Sequence, residues 1–148
     1  MDAKKEVKVL AIVILAGYGW VFLGSVIQIL SILSGDLTAT FYKETAELVG
    51  FSYKFIVIST IIKLVASAFL VIGSIGMLKR KELGRKTVIY TLIAYIIASV
   101  IVLVYSITTK MITGLQEMYT LAMSFFYLII FLSIIFFLTR KSVKEILS

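Results

Sequence analysis

Of the 15 basic residues in this 148-residue chain, one stands where a charge is costly. Lys63 lies inside the apolar run from Phe55 to Leu78, about 22 Å along a helix from its Leu78 end. A charge at depth in hydrocarbon costs roughly 2.5–3.5 kcal/mol on insertion scales, so it needs partners, water or a way out. Two arrangements meet that need. The four-carbon stem can snorkel to the nearer interface, or the ammonium can turn inward to polar groups. For the inward arrangement Ser124 lies at a similar height, with Gln28 and Tyr105 somewhat further out, and all three can accept its hydrogen bonds. Glu117, at the rim, is the nearest counter-charge. Lys63 shares a broad face with Ser59, Ala66 and Ser67 at three-to-four-residue spacing, which favours the inward arrangement. The chemistry expected of such a cluster is binding: a solvated pocket in one half of the membrane, suited to an anionic or hydrogen-bond-accepting ligand.

No other set of residues points to a reaction. Cysteine and histidine are both absent, which removes disulfides, thiol redox chemistry, histidine-ligated haem, the usual structural zinc sites and histidine acid–base catalysis. The eight carboxylates, from Asp2 to Glu145, all fall outside the long apolar runs. A proton-coupled transporter commonly relays through an ionisable group within the membrane, and no carboxylate is placed to serve. Serines are plentiful, but without a histidine, or a lysine placed to take its proton, none is an activated nucleophile. Gly73-Ser74-Ile75-Gly76 lacks the lysine and hydroxyl of a phosphate loop. Gly17-Tyr18-Gly19 resembles a fragment of a potassium filter but sits inside an apolar run with no pore loop around it. The expectation is no catalytic residue, no metal and no cofactor.

The elements that must position Lys63 follow from composition. Hydrophobic residues make up 61% of the chain, against roughly 45–50% in soluble domains. Four apolar runs, at about 9–33, 55–78, 87–107 and 119–138, are each long enough to cross some 30 Å of hydrocarbon. Proline is absent, so continuous helices are expected. The first run is too long for the apolar core of a signal peptide and is read as a helix that stays. The fold class is therefore an all-α integral membrane protein, an up-down-up-down bundle of four transmembrane helices, with loops at 34–54, 79–86 and 108–118 and a tail at 139–148. In the first loop Leu37, Phe41, Leu48 and Val49 recur at near-helical spacing, and a short interfacial helix is one reading of them.

Lys and Arg flank these runs unevenly. Three at the N-terminus, five at 79–86 and three in the tail make eleven on one side, against Lys43, Lys54 and Lys110 on the other. The positive-inside rule then places both termini and the middle loop in the cytoplasm of a cell membrane. The net charge of +7 is explained by these flanks. Anionic lipids at the cytoplasmic face are the expected partners, not nucleic acid.

Helix association in lipid relies on small residues that let backbones approach. The sequence offers Gly17 and Gly24 on the first helix, Ala66 and Gly73 on the second, and Ala94 and Ala98 on the third. Beside the Ser59-Ala66-Gly73 stripe runs a second, Thr60-Ser67-Ser74. Trp20, near mid-membrane, is expected to pack in the core. The fourth helix, rich in Phe125, Phe126, Phe131, Phe136 and Phe137, is expected to face lipid or a partner subunit.

Two functional readings follow. One is a small non-enzymatic membrane protein acting as an oligomeric or accessory component. The other is a small channel or transporter with a pocket at Lys63. The topology is checked directly, because the chain has no natural cysteine. Single substitutions Ser34→Cys, Lys43→Cys and Thr113→Cys are expected to react with a membrane-impermeant thiol reagent in intact cells. Lys81→Cys and Ser142→Cys are expected to react only after permeabilisation, and labelling of Lys81→Cys in intact cells reverses the orientation.

Overall fold

The computed structural model of the chain describes residues 3–34, 44, 53–109 and 115–147, with side chains of the last segment from Met118 onward. The interfacial helix expected between Leu37 and Val49, and the Glu117 side chain, lie outside the described residues. Five α-helices are present among them: α1 (Ala3–Ser34), α2 (Tyr53–Leu78), α3 (Glu82–Thr108), α4 (Leu115–Thr139) and α5 (Lys141–Leu147). The first four are long and apolar enough to cross a membrane, and they form an all-α bundle in which successive helices run up and down. A spanning helix satisfies its backbone hydrogen bonds internally, which hydrocarbon requires of any backbone it surrounds.

The α2–α3 connection is tighter than the sequence suggests. Only residues 79–81 separate the helices, because α3 begins at Glu82 rather than near Thr87. Arg80 adopts a left-handed backbone with φ 54°. Its N–H donates to the Met77 carbonyl at 2.9 Å, and that of Lys81 donates to Gly76, also at 2.9 Å. This pair of bonds is a Schellman motif, which usually places glycine where Arg80 stands.

Immediately beyond the turn the two backbones touch. A Cβ on Gly84 would lie 2.5 Å from both the Gly76 carbonyl carbon and the Met77 nitrogen. One on Gly76 would lie 2.7 Å from the Gly84 Cα, and one on Gly73 would lie 2.7 Å from Val88 Cγ2. Gly73 is therefore a contact residue, with Gly84 as its unforeseen counterpart. Gly73 and Ala66 are buried, and so is the neighbouring stripe Thr60, Ser67 and Ser74, turned about 100° around α2. Two buried stripes suit a helix that packs against both α1 and α3. The buried hydroxyls are satisfied within the helix: Ser67 donates to the Leu64 carbonyl and Ser74 to that of Leu70.

On α1 the expected glycines face away from the bundle. Gly17 and Gly24 are exposed, and nothing lies within 4 Å of a Cβ built on either. The packed face carries Val7, Ala11, Ile14, Tyr18 and Ser25, which recur at three-, four- and seven-residue spacing. Each glycine precedes a member of that face by one residue, a rotation of about 100°. Trp20, two residues past Tyr18, is 79% exposed and does not enter the core. On α3 the inward stripe is Arg85, Leu92, Ser99 and Ser106; Ala94 is exposed and Ala98 half-buried.

The tail is a structural element. Val143 and Leu147 of α5 are buried in the same core as Val7, Ala11, Met77 and Leu138. Arg85, buried at the start of α3, ties this layer together. Its Nη1 donates to the Leu138 carbonyl at 3.1 Å and its Nη2 to Glu82 Oε1 at 3.2 Å. The first contact puts a cation on the last turn of α4, where carbonyls lack helical partners and the helix dipole is negative.

Two outcomes test this packing. Gly84→Ala is expected to lower thermal stability in detergent by an overpacking cost of about 1–3 kcal/mol or more, whereas Gly24→Leu is expected to stay within about 0.5 kcal/mol. Equal losses at the two positions contradict the assigned faces. Arg85→Met removes the donor to Leu138, at about 1–3 kcal/mol for an unpaired buried carbonyl. It is expected to release α5, read as faster tryptic cleavage at Lys141 and Lys144.

Candidate functional site

The first turns of α1, the α2–α3 turn and α5 gather at one end of the bundle; the cleft lies towards the other. Three helices line it. Phe55, Ser59, Ile62 and Lys63 come from α2; Tyr95, Ile96, Ser99, Val100, Val102 and Leu103 from α3. The α4 wall runs from Tyr119 and Thr120 through Ser124 and Leu128 to Phe131. Its volume is about 490 Å³, within the range of about 300–1,000 Å³ typical of small-molecule sites.

The cleft exists because α4 is held unevenly. Its extended contact is with α3, and it packs more sparsely than the other three. Phe131 is its one deeply buried aromatic, 6% exposed, and it gathers three tyrosines from three helices. The ring of Tyr95 meets it edge-on at 5.6 Å, that of Tyr127 stacks at 6.0 Å, and that of Tyr18 is tilted at 6.5 Å. Such offset and edge contacts are favourable between aromatic quadrupoles. This cluster joins α1, α3 and α4 and forms the floor of the cleft. Phe131 thus departs from the lipid-facing role expected of it, while Phe125, Phe126 and Phe136 are exposed.

Lys63 lines the cleft and remains exposed. It forms no ion pair among the described residues. Side chains on a helix lean towards its N-terminus, and α2 starts at the cleft end. That geometry favours a lysine stem directed towards Ser59, one turn away on the same wall. Ser59 itself donates to the Ile56 carbonyl at 3.0 Å, which leaves its oxygen free to accept.

Of the residues proposed as partners, the structure brings Ser124 to the same cleft as Lys63. Gln28, on α1, does not line it, and Tyr105 is 52% exposed away from it. Ser59, already placed on the Lys63 face, lines the cleft; the hydroxyls that the sequence reading missed there include Ser99 and Thr120, with Tyr95 at the floor. The signal that leads to Ser99 is its seven-residue spacing from Leu92 and Ser106, the buried stripe of α3. Among the described residues no group of three or more His, Cys, Asp or Glu could hold a metal.

Comparison with protein-family models, curated proteins and solved structures finds no match. Function must be argued from this cleft alone.

Proposed function

We propose that the protein is a non-enzymatic component of a cell membrane that binds an anionic or hydrogen-bond-accepting ligand in the cleft at Lys63, as a small carrier or channel would. The observation that carries this reading is an ammonium with no ion pair among the described residues, on the wall of a cavity whose other polar lining groups are hydroxyls. In that setting the ammonium offers an anion a full counter-charge, and hydroxyls complete its coordination. The uneven distribution of Lys and Arg supports placing both termini in the cytoplasm, which puts the cleft in the outer half of the bilayer. The clustered charges Arg80, Lys81, Lys86, Arg140 and Lys141 then meet the cytoplasmic leaflet, where anionic lipids would gather around them.

A second reading, an oligomeric or accessory subunit, is favoured by the exposed aromatic face of α4. Phe125, Phe126, Ile129 and Phe136 all stand outside the bundle. Stoichiometric co-purification of a partner, lost on Phe126→Ser, supports that reading.

The first reading predicts charge selectivity at defined atoms. In Ser99→Cys and Ser124→Cys, a negatively charged methanethiosulfonate reagent is expected to react at least about tenfold faster than a positively charged one, since a unit charge within several ångströms is worth more than 1 kcal/mol at intermediate dielectric. The preference is expected to vanish when Lys63→Met is added. Equal rates with Lys63 in place, or no reaction at either cysteine, would overturn a solvated cleft governed by this lysine.

A further inference from the structure

Resting on the binding role of the cleft, we infer that its ligand is a single-chain anionic amphiphile: one acyl chain bearing a carboxylate or phosphate head, taken in from the surrounding leaflet between α2 and α4. The cleft is apolar along most of its length, with one charge on its wall. Leu128 and Phe131 line it towards mid-membrane, Phe55, Val102 and Leu103 line it towards the start of α2, and Lys63 stands on the α2 wall between them. Side chains on a helix lean towards its N-terminus, which favours the ammonium on the Ser59 side. A ligand matching this lining carries its charge on that side and its apolar part towards mid-membrane, along Leu128 and Phe131. That is how an amphiphile already lies in a leaflet, so it needs no inversion to bind.

The α4 wall from Tyr119 to Phe131 spans twelve helical steps, about 18 Å of rise. The shape is long and, at about 490 Å³, modest in volume. One extended chain fits such a slot better than a bulky polar solute does. Access is from the side, because α2 and α4 do not form a packed helix pair.

Selection must come from the head. A tail that leaves lipid for an apolar wall gains little, since lipid is as apolar as leucine. The chain supplies fit, and the ammonium with its neighbouring hydroxyls supplies the preference over bulk lipid. A hydroxyl-lined slot without the lysine has no reason to prefer an anion.

The test uses the full chain in non-ionic detergent, titrated with oleate and followed by native mass spectrometry. One oleate per chain is expected. Lys63→Met is expected to weaken binding at least about tenfold, as suits loss of a charge-assisted contact, while Lys63→Arg retains it. Leu128→Trp, which fills the slot and keeps the charge, is expected to abolish it, with unchanged elution on size exclusion as the folding control. Lysophosphatidic acid competing better than oleate assigns a phosphate head, and the reverse a carboxylate; either supports the inference. Equal oleate binding by Lys63→Met, or equally tight binding of dodecyltrimethylammonium, overturns it. If oleate fails to bind while the thiol reagents still show Lys63-dependent anion preference, the amphiphile is wrong and the anion site stands. If both fail, both readings fall.

Discussion

The bundle depends on one contact, the meeting of bare backbones where Gly73 and Gly76 of α2 cross Gly84 of α3. No side chain separates the helices there, and a single methyl on Gly84 would collide with main-chain atoms that cannot rotate away. In lipid this kind of approach must carry much of the association, because apolar side chains gain almost nothing by leaving hydrocarbon for one another. The three-residue turn enforces it. A Schellman closure at residues 79–81 returns the chain almost at once, so that Gly84, early in α3, falls beside the last turns of α2. Arg80 holds the left-handed position at some conformational expense, roughly 1–2 kcal/mol relative to glycine.

From this contact the molecule acquires a stiff end and a loose one. At the stiff end, Arg85 links the start of α3 to the last carbonyls of α4, and α5 seats Val143 and Leu147 in the shared core. On the cleft side of Phe131, α4 has no comparable anchor among the described residues, and the cleft fills the space that tight packing leaves. Stability is therefore graded along the bundle. Elements that open to admit ligands are drawn from regions with few buried contacts, and the stretch of α4 before Phe131 is such a region.

The sequence made the helices legible and their rotation much less so. Runs of twenty or more apolar residues announce spanning helices whatever faces what. Rotation about each axis has no such signal, since a helix that is apolar all round gives no polar face to turn outward. Small residues were the only remaining cue, and on α1 they misled: Gly17 and Gly24 sit one residue from the packed face at Tyr18 and Ser25. On α2, where the stripe ran through Gly73, the cue held. Gly84 and Arg85 escaped notice for a different reason. They belong to a run of five basic residues, and such charge reads as loop, although the helix had already begun and the guanidinium is buried. Lys63 and Ser124, which both line the cleft, could be set at one height because depth can be counted along a helix. Gln28 and Tyr105 failed because azimuth cannot.

The two arrangements set against each other for Lys63, snorkelling and facing inward, turn out not to exclude one another. A lysine near the start of a spanning helix leans towards that end of the axis whichever way it faces. Snorkelling describes its motion along the membrane normal, and lining the cleft describes its direction around the helix. Both are open to a residue on the α2 wall of the cleft. The combination also accounts for an ammonium that has no ion pair among the described residues. Water or polar headgroups at the mouth of the cleft would solvate it, and the same exposure would let it exchange that solvation for an anion. A lysine buried and paired at the same height would be better stabilised and would bind nothing.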